Sequence, residues 1–240
     1  GPKETIIGGH KPGERNVISG NRGPGIMASG PNTVRLKVLA NYIGTDSDGV
    51  LGIGNNNEGI KIDDVEMVVI QNRNVISANG GDGILLSRVN GAVVRFNSLG
   101  TQKAAMANKK CGIKIEDGLR NTIAQNTILF TGQHGIHISG GGWNHITNNS
   151  IGIFVIPGPG GVVRFGNIPM HGIFLTDDTK NNVVAFNTIR KTGGNGIAIG
   201  AGALDRSMRN SLSSNSISGC QGKAIAFMAP GVQEKISPPE

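Results

Sequence analysis

The sequence predicts an all-β solenoid in which short coils stack on one another, and two repeated patterns lead to that prediction. An apolar unit of the general form Gly-Ile-x-(Ile/Leu/Phe) recurs along the chain, and an Asn-x-(Ile/Leu) unit alternates with it. The Gly-Ile units begin at Gly25, Gly59, Gly83, Gly112, Gly135, Gly172 and Gly196, with an eighth unit at Ala224. The Asn units begin at Asn16, Asn41, Asn74, Asn97, Asn126, Asn149, Asn187 and Asn215. Self-similarity at such intervals is typical of proteins whose repeats bury their apolar edges only by stacking.

Each Gly-Ile unit is predicted to be a short β-strand. Apolar residues alternate in Gly59-Ile60-Lys61-Ile62, which is the period of a strand with Ile inward and the middle residue outward. The shortest interval, from Gly112 to Gly135, is 23 residues, so the longer intervals indicate the same coil with an added loop. Gly before each Ile suits a bend or a close approach between backbones.

The repeated Asn is predicted to form an internal ladder. Because it recurs at the same point of every coil, its side-chain amide can bond the backbone or the side chain of the next coil. The repeat runs through both halves of the chain without a linker, so residues 1–240 are expected to form one domain. One segment departs from the pattern, at residues 152–166, where a strand, a Pro-Gly turn and a second strand predict a projecting hairpin or an extra coil.

Two of the repeated motifs carry a family resemblance. Asn16-Val-Ile-Ser-Gly-Asn and Asn74-Val-Ile-Ser-Ala-Asn alternate with Asn41-Tyr-Ile-Gly-Thr and Asn97-Ser-Leu-Gly-Thr. This alternation resembles the Gly/Asn-rich repeat proteins of the pectin-lyase-like superfamily, especially secreted or surface bacterial proteins. The resemblance covers nearly the whole chain and implies a single-stranded right-handed parallel β-helix, here of about eight coils, in a secreted or cell-surface setting. It also implies a polysaccharide-related or adhesive context, with lyases, hydrolases and epimerases among the relatives.

The charge of the chain predicts an anionic partner. The formal net charge is +7 and the pI is about 9.7, which favours an anionic glycan or cell-surface polysaccharide. Aromatic residues make up 4% of the chain and no helix is predicted, which argues against nucleic acid. No apolar stretch approaches the roughly 18 residues of a membrane span. The first strand lacks a capping segment, which predicts an end-to-end contact through the N-terminal coil.

Outward positions of stacked strands form vertical rows, and one stretch of them is the candidate binding site. Its residues lie on or just after the Gly-Ile strands of coils two to five: Lys61, Asp63, Asp64, Arg88, Lys114, Glu116, Asp117 and His137. A lyase or epimerase needs a cation to neutralise a uronate carboxylate and a base for its proton, which Lys, Arg and His can supply. A hydrolase instead needs two carboxylates, for which Asp63 and Glu116 are the candidates. Paired charges on a solvated sheet are the alternative without chemistry.

A second row contains residues that can bind metals. The residues before successive Gly-Ile units include Asp82, Cys111, His134 and His171, and the spacing of stacked coils would let them converge on one divalent ion. The sequence otherwise predicts no cofactor.

The sequence favours a non-catalytic extracellular module that binds an anionic polysaccharide. The alternative is a lyase, epimerase or glycoside hydrolase acting on an acidic polysaccharide. The chain lacks the Tyr-Gly-x-Asp-Pro-His run of the alginate epimerases and the Arg-x-Pro-x-x-Arg signature of lyases, which weakens the enzyme hypothesis.

Overall fold

The computed structural model describes residues 4–31, 33, 35–100, 106–156 and 162–228. Within them the chain is built almost entirely of short strands, with a 3-10 turn at Pro12–Glu14. In these ranges, no helix has the length and apolar character needed to cross a membrane.

Three parallel sheets of eight strands each form the walls of the molecule. Strands are numbered in chain order. The first sheet contains β1 (Thr5–Gly8), β4 (Leu36–Leu39), β7 (Val69–Gln71), β10 (Val93–Arg95), β13 (Thr122–Ala124), β16 (His145–Thr147), β21 (Val183–Ala185) and β24 (Ser211–Ser213). The second contains β2 (Val17–Ile18), β5 (Tyr42–Ile43), β8 (Val75–Ile76), β11 (Ser98–Leu99), β14 (Thr127–Ile128), β17 (Ser150–Ile151), β22 (Thr188–Arg190) and β25 (Ser216–Ser218). The third contains β3 (Ile26–Ser29), β6 (Ile60–Asp63), β9 (Ile84–Ser87), β12 (Ile113–Glu116), β15 (Ile136–Ser139), β20 (Ile173–Thr176), β23 (Ile197–Ile199) and β26 (Ile225–Phe227).

One strand from each sheet makes one coil, so the chain forms the eight coils that the repeat predicts. In the third sheet Ile60 lies beside Ile84, and Ile113 lies beside Ile136, in continuous register. The predicted parallel β-helix is therefore confirmed.

The inward residues of the three sheets form one apolar core. Ile60 and Ile62 of β6, like Ile113 and Ile115 of β12, have no exposed surface. Leu85 differs from the expected alternation, because it points outward and is still buried. It lies between Lys61 and Lys114 in the register, and the aliphatic stems of lysines can cover apolar neighbours.

Asparagine ladders run inside the corners of the helix. The predicted ladder extends from Asn16 to Asn215 at the corner between the first and second sheets. Along this ladder the backbone and side-chain N–H groups of one Asn donate to the Oδ1 of the next Asn. Asn97 donates in this way to Asn126, and Asn126 donates to Asn149. Two further ladders occupy the other corners, one through Asn21, Asn55, Asn79 and Asn108 and one through Asn121, Asn144, Asn182 and Asn210. The ladders satisfy buried polar groups at the points where strands end.

The glycine before each Ile is required by close packing between coils. A Cβ placed on Gly135 would lie 2.6 Å from both the carbonyl oxygen of Gly172 and a methyl carbon of Ile151. That is shorter than non-bonded contact, so a side chain at this position would push adjacent coils apart.

The segment 152–166 is an insertion in the sixth coil and contains an antiparallel pair of strands. β18 (Ile153–Ile156) pairs with β19 (Val162–Phe165), and the turn between them lies outside the described residues. The register of the third sheet continues across this insertion from β15 to β20.

Within the described part of the chain, each strand of the first coil has a neighbouring strand on one side only. Ile6, Val17 and Met27 on that coil are about half exposed. An end-to-end contact through this coil stays a prediction.

Candidate binding face on the third sheet

The structure brings all eight residues of the candidate site to one face of the third sheet. Lys61, Lys114 and His137 lie in one outward row, in which Phe174 follows His137. A second row contains Asp63 and Glu116, followed by Ser139 and Thr176. Asp64, Arg88 and Asp117 occupy the exposed turn that follows each strand.

The cations of this face are largely compensated by its own acids. Arg88 contacts Asp63 at 2.5 Å, and Lys114 contacts Glu116 at 2.6 Å. The hydrogen bond and the charge of Glu116 hold the pKa of Lys114 above its usual value, although burial works against the charge. Asp63 and Glu116 thus each face a cation, which is the paired-charge arrangement and not the facing pair of carboxylates that a hydrolase needs.

The charge balance of the whole face is negative. We define the third-sheet face as the strands of that sheet with their bordering turns: residues 24–31, 58–65, 82–89, 111–118, 134–141, 171–178, 195–202 and 223–228. These spans hold eight acidic residues, Glu58, Asp63, Asp64, Asp82, Glu116, Asp117, Asp177 and Asp178, against four basic ones, Lys61, Arg88, Lys114 and Lys223. The expectation that Lys61, Arg88 and Lys114 attract an anionic ligand here therefore finds no support, because their charges are outnumbered.

Four rings form a compact cluster at the centre of the face. We call His134, His137, His171 and Phe174 the ring cluster. His134 stacks on His171 with ring centroids 5.2 Å apart, and His137 stacks on Phe174 at 5.1 Å. The two stacks touch, since the rings of His134 and Phe174 are 4.7 Å apart. His134 is buried, while the other three rings are partly buried and keep part of their surface open to solvent.

The hydrogen bonds fix the tautomers of the three histidines. The backbone N–H of His171 donates to Nδ1 of His134, and the backbone N–H of Asn195 donates to Nδ1 of His171, so both neutral rings carry their proton on Nε2. Nε2 of His137 lies 3.0 Å from the hydroxyl of Thr176, which itself donates to the Asp177 carboxylate. The proton of His137 is therefore also on Nε2, and its free lone pair is on Nδ1.

Burial keeps these imidazoles uncharged at neutral pH. Burial, together with the nearby His137, lowers the pKa of His134 to about 3. Burial and the positive charge of Lys114 lower the pKa of His137 to about 4, and burial also lowers the pKa of His171. A general base works best with a pKa near the working pH, so His137 is a weak base in this setting.

The lowered histidine pKa values predict a loss of stability in acid. Because the folded pKa values lie below the ordinary value of 6.5, the unfolded chain binds protons first as the pH falls. The stabilisation is complete above about pH 6.5 and is lost progressively toward pH 4. We expect urea unfolding at pH 4.5 to show a lower free energy of unfolding than at pH 7.

A variant of His134 separates the acid-induced loss of stability due to this histidine from the loss due to other titrating groups. Asn195 caps the backbone N–H of Lys223 as His134 caps that of His171, so His134→Asn keeps a non-titrating acceptor in place. The acid loss should be smaller in His134→Asn than in the parent chain. Equal losses in the two proteins would show that His134 does not contribute to it.

The four residues of the predicted metal site are not arranged to bind one ion. Asp82, Cys111, His134 and His171 lie in successive coils, but Asp82 accepts the backbone N–H of Cys111 at 2.7 Å and the Nδ1 atoms of both histidines accept backbone N–H groups. Burial, together with the negative charge of Asp82, raises the pKa of the Cys111 thiol to about 12, which keeps it protonated. Among the described residues no group of three or more His, Cys, Asp or Glu is arranged to hold a metal. The row is therefore a set of backbone caps.

The sequence analysis did not predict the acidic residues beside the ring cluster, Asp177 and Asp205. The Asp177 carboxylate accepts the hydroxyls of Ser139 and Thr176, at 2.5 and 2.9 Å. The carboxylate of Asp205 accepts the backbone N–H groups of Asp177 and Ala201, which fastens the following loop to Asp177. The Asp177-Asp178 pair can be located in the sequence because it follows a Gly-Ile unit, whereas Asp205 lies outside the repeated units.

A further recess lies on the second sheet. It is a cavity of about 200 Å³ between the 45–52 loop and the 152–166 hairpin, lined by Tyr42, Leu99, Thr127 and Phe154. Asp48 is its one charged lining residue. With one charged lining residue it offers mainly apolar contact, so the third-sheet face remains the better candidate.

Comparisons with known proteins place the chain among β-helices. Residues 106–232, more than half of the chain, match the family model described as the right handed beta helix region. Residues 52–152 match the model of the periplasmic copper-binding protein NosD. A search of curated proteins finds no significant match.

Solved structures with the same architecture include a periplasmic alginate epimerase, AlgG, with a TM-score of 0.56 and 14% identity over 81% of this chain and 51% of that one. The A-module of the Azotobacter vinelandii mannuronan C-5 epimerase AlgE6 gives a TM-score of 0.52 and 15% identity over 90% and 57%. The Dettilon tailspike protein gives 0.56 and 14% over 87% and 40%. The chain thus spans about half the length of these proteins or less, and the similarity shows the fold.

Proposed function

Because the chain belongs to the right-handed β-helix family, we propose that it is a non-catalytic, extracytoplasmic module that recognises a polysaccharide on its third-sheet face. The observation that carries the proposal is the ring cluster, four stacked rings that are partly open to solvent and bordered by hydrogen-bonding groups. The periplasmic and polysaccharide-modifying proteins among the similar structures support the setting and the ligand class.

The cluster suits a sugar ring for two physical reasons. The face of an aromatic ring carries partial negative charge, and the C–H groups on one side of a sugar can lie against it. The Nε2–H of His171 is a donor, while Nδ1 of His137 and the Asp177 carboxylate are acceptors, so hydroxyls find partners of both kinds around the rings. Saccharide sites combine apolar or aromatic contact with a few placed polar groups in this way.

The chemistry of the face supports binding over catalysis. Arg88 and Lys114 are paired with Asp63 and Glu116, and the one histidine with a free lone pair has a pKa near 4. A lyase or epimerase would need a stronger base than this histidine.

The copper named for the periplasmic relative does not fit these residues. A metal-binding imidazole usually donates its second ring N–H to an acceptor. In His134 and His171 the second nitrogen receives a backbone N–H instead, so Nε2 has no lone pair to offer a metal.

Calorimetric titration with polysaccharides tests the proposal. The parent chain is titrated with mannuronan, alginate and the neutral polymer dextran, and Phe174→Ala is expected to weaken the affinity for whichever polymer binds roughly tenfold, or about 1.4 kcal/mol. Phe165→Ala, which removes an exposed phenylalanine of the hairpin, is the matched control and should change little. Phe174→Tyr keeps a ring and should retain binding. Binding that survives Phe174→Ala unchanged would contradict the proposal.

An enzyme on acidic polysaccharide is the second candidate, and one observation favours it. His137 is linked through Thr176 to Asp177 and lies near Lys114, so a base, a relay and a cation are close together. Release of unsaturated or reducing ends from uronate polymers, lost in His137→Ala, would establish it.

A further inference from the structure

The positive charge of the protein is concentrated on a different wall. We define the first-sheet face as the strands of that sheet with their bordering turns: residues 4–9, 35–40, 66–73, 90–96, 119–125, 142–148, 180–186 and 208–214. These spans hold seven basic residues, Arg35, Lys37, Arg73, Arg95, Arg120, Lys180 and Arg209, against two acidic ones, Glu4 and Glu66. A face with a net charge of +5 thus lies on the same short solenoid as a face with −4. This separation concentrates a positive field on one wall.

Exposed aromatic rings lie among these cations. Phe96, Trp143 and Phe186 are 44%, 50% and 59% exposed. The guanidinium of Arg95 lies 5.6 Å from the centre of the Phe96 ring, and that of Arg120 lies 5.8 Å from the Trp143 ring. Such stacking holds a guanidinium flat. The Nε–H of Arg95 donates to Oε1 of Gln71, while its terminal N–H groups can meet carboxylate or sulfate oxygens.

The turns of this face hold large side chains in an unfavourable backbone conformation. Arg120, Trp143, Phe96 and Phe186 all have φ between 54° and 58°. The left-handed region favours Gly, Asn and Asp, and the turn after the third sheet does use Asp at Asp64, Asp117 and Asp177. The same conformation occurs at Ala40 and Gln125 in these turns and at Arg88 after the third sheet, so it belongs to the corners of the coils and not to the arginine and aromatic side chains in particular.

We propose that the first-sheet face is a second binding surface, separate from the ring cluster, and that it takes a linear anionic polysaccharide lying along the stack of coils. The inference rests on the proposed function, polysaccharide recognition, and assigns its anionic component to this wall. Basic side chains occur in six of the eight coils, so a chain running along the solenoid axis meets successive cations at intervals set by the roughly 4.8 Å coil spacing.

The placement of the aromatic rings favours a glycan over single-stranded nucleic acid. Phe96 and Phe186 lie in the turn after the first sheet in coils four and seven, roughly 14 Å apart, while Trp143 lies in the turn before it. Successive bases need a continuous file of rings to stack upon, which this arrangement does not provide.

Trp143 is the only tryptophan of the chain, so its fluorescence reports on this face alone. Titration with mannuronan should shift the emission and protect it from iodide quenching, with an affinity that falls steeply as salt is raised. Dextran should leave the emission unchanged. The variant Arg95→Gln/Arg120→Gln/Arg209→Gln should weaken binding at least tenfold and flatten the salt dependence.

A matched variant controls for net charge. Lys109→Gln/Lys110→Gln/Lys223→Gln removes the same charge away from this face and should bind within about twofold of the parent, since only overall charge has changed. Equal losses in the two triple variants, or a parent-like affinity of the arginine variant, would overturn the proposal. Single-stranded DNA that competes better than mannuronan at equal charge would also overturn it, in favour of nucleic acid.

The Phe174→Ala variant keeps this inference distinct from the proposed function. If Trp143 responds to mannuronan equally in the parent and in Phe174→Ala, the first-sheet face binds by itself. If Phe174→Ala loses all binding while the arginine variant keeps it, the ring cluster is the sole site and the second surface is refuted.

Discussion

Replacement of Asn126 by alanine is expected to lower the free energy of unfolding by roughly 3–5 kcal/mol. Its Oδ1 accepts the backbone and side-chain N–H groups of Asn97, at 3.1 and 3.0 Å, and its own Nδ2 donates to Asn149 and to the carbonyl of Val94. All of these groups are buried, so alanine leaves several donors and acceptors without water or a protein partner. Each such group costs about 1–3 kcal/mol.

Urea unfolding followed by far-UV circular dichroism measures this loss. Asn57→Ala, at an exposed position, is the matched control and should fall within about 0.5 kcal/mol of the parent. A loss below about 1 kcal/mol in Asn126→Ala would mean that the ladder does little to stabilise the stack.

Replacement of Gly112 by valine is expected to destabilise the protein by roughly 3 kcal/mol or more. A Cβ at Gly112 would lie 2.6 Å from a methyl carbon of Ile128 and 2.7 Å from the carbonyl oxygen of Gly135 in the next coil. The obstacle is backbone of the neighbouring coil, so relief requires the coils to separate and weakens strand pairing on both sides.

The Gly112→Val effect is read from thermal unfolding. Gly23→Ala is the control, because a Cβ on Gly23 meets no atom within 4 Å. A midpoint for Gly112→Val equal to that of the control would show that the coils can move apart without cost.

The fold was predictable because its determinants are local and repeated. The alternation in Gly59-Ile60-Lys61-Ile62 indicates a strand with one face buried, and the recurrence of Asn126 and its equivalents marks a corner of each coil. The two other ladders were not predicted. In the one through Asn55 and Asn79 no apolar residue stands two positions after the Asn, whereas Asn121 and Asn144 are each followed two residues later by Ile, so that ladder had a usable signal in the sequence.

The candidate site was predictable only in part. His134, His137 and His171 each occupy a row that the Gly-Ile register defines, but their meeting with Phe174 depends on ring geometry that spacing does not give. The pairing of Lys114 with Glu116 makes the third-sheet face a poor attractor of anions, which a list of its cations does not reveal. The basic first-sheet face was missed because residues such as Arg120 and Arg209 lie in turns away from the Gly-Ile units.

The most direct test of the central claim is proton NMR of mannuronan incubated with saturating protein, with binding followed in the same samples. If the protein is a non-catalytic recognition module, the polymer binds and its uronate composition and chain ends stay unchanged. Accumulation of epimerised residues or unsaturated ends, dependent on His137, would contradict the account.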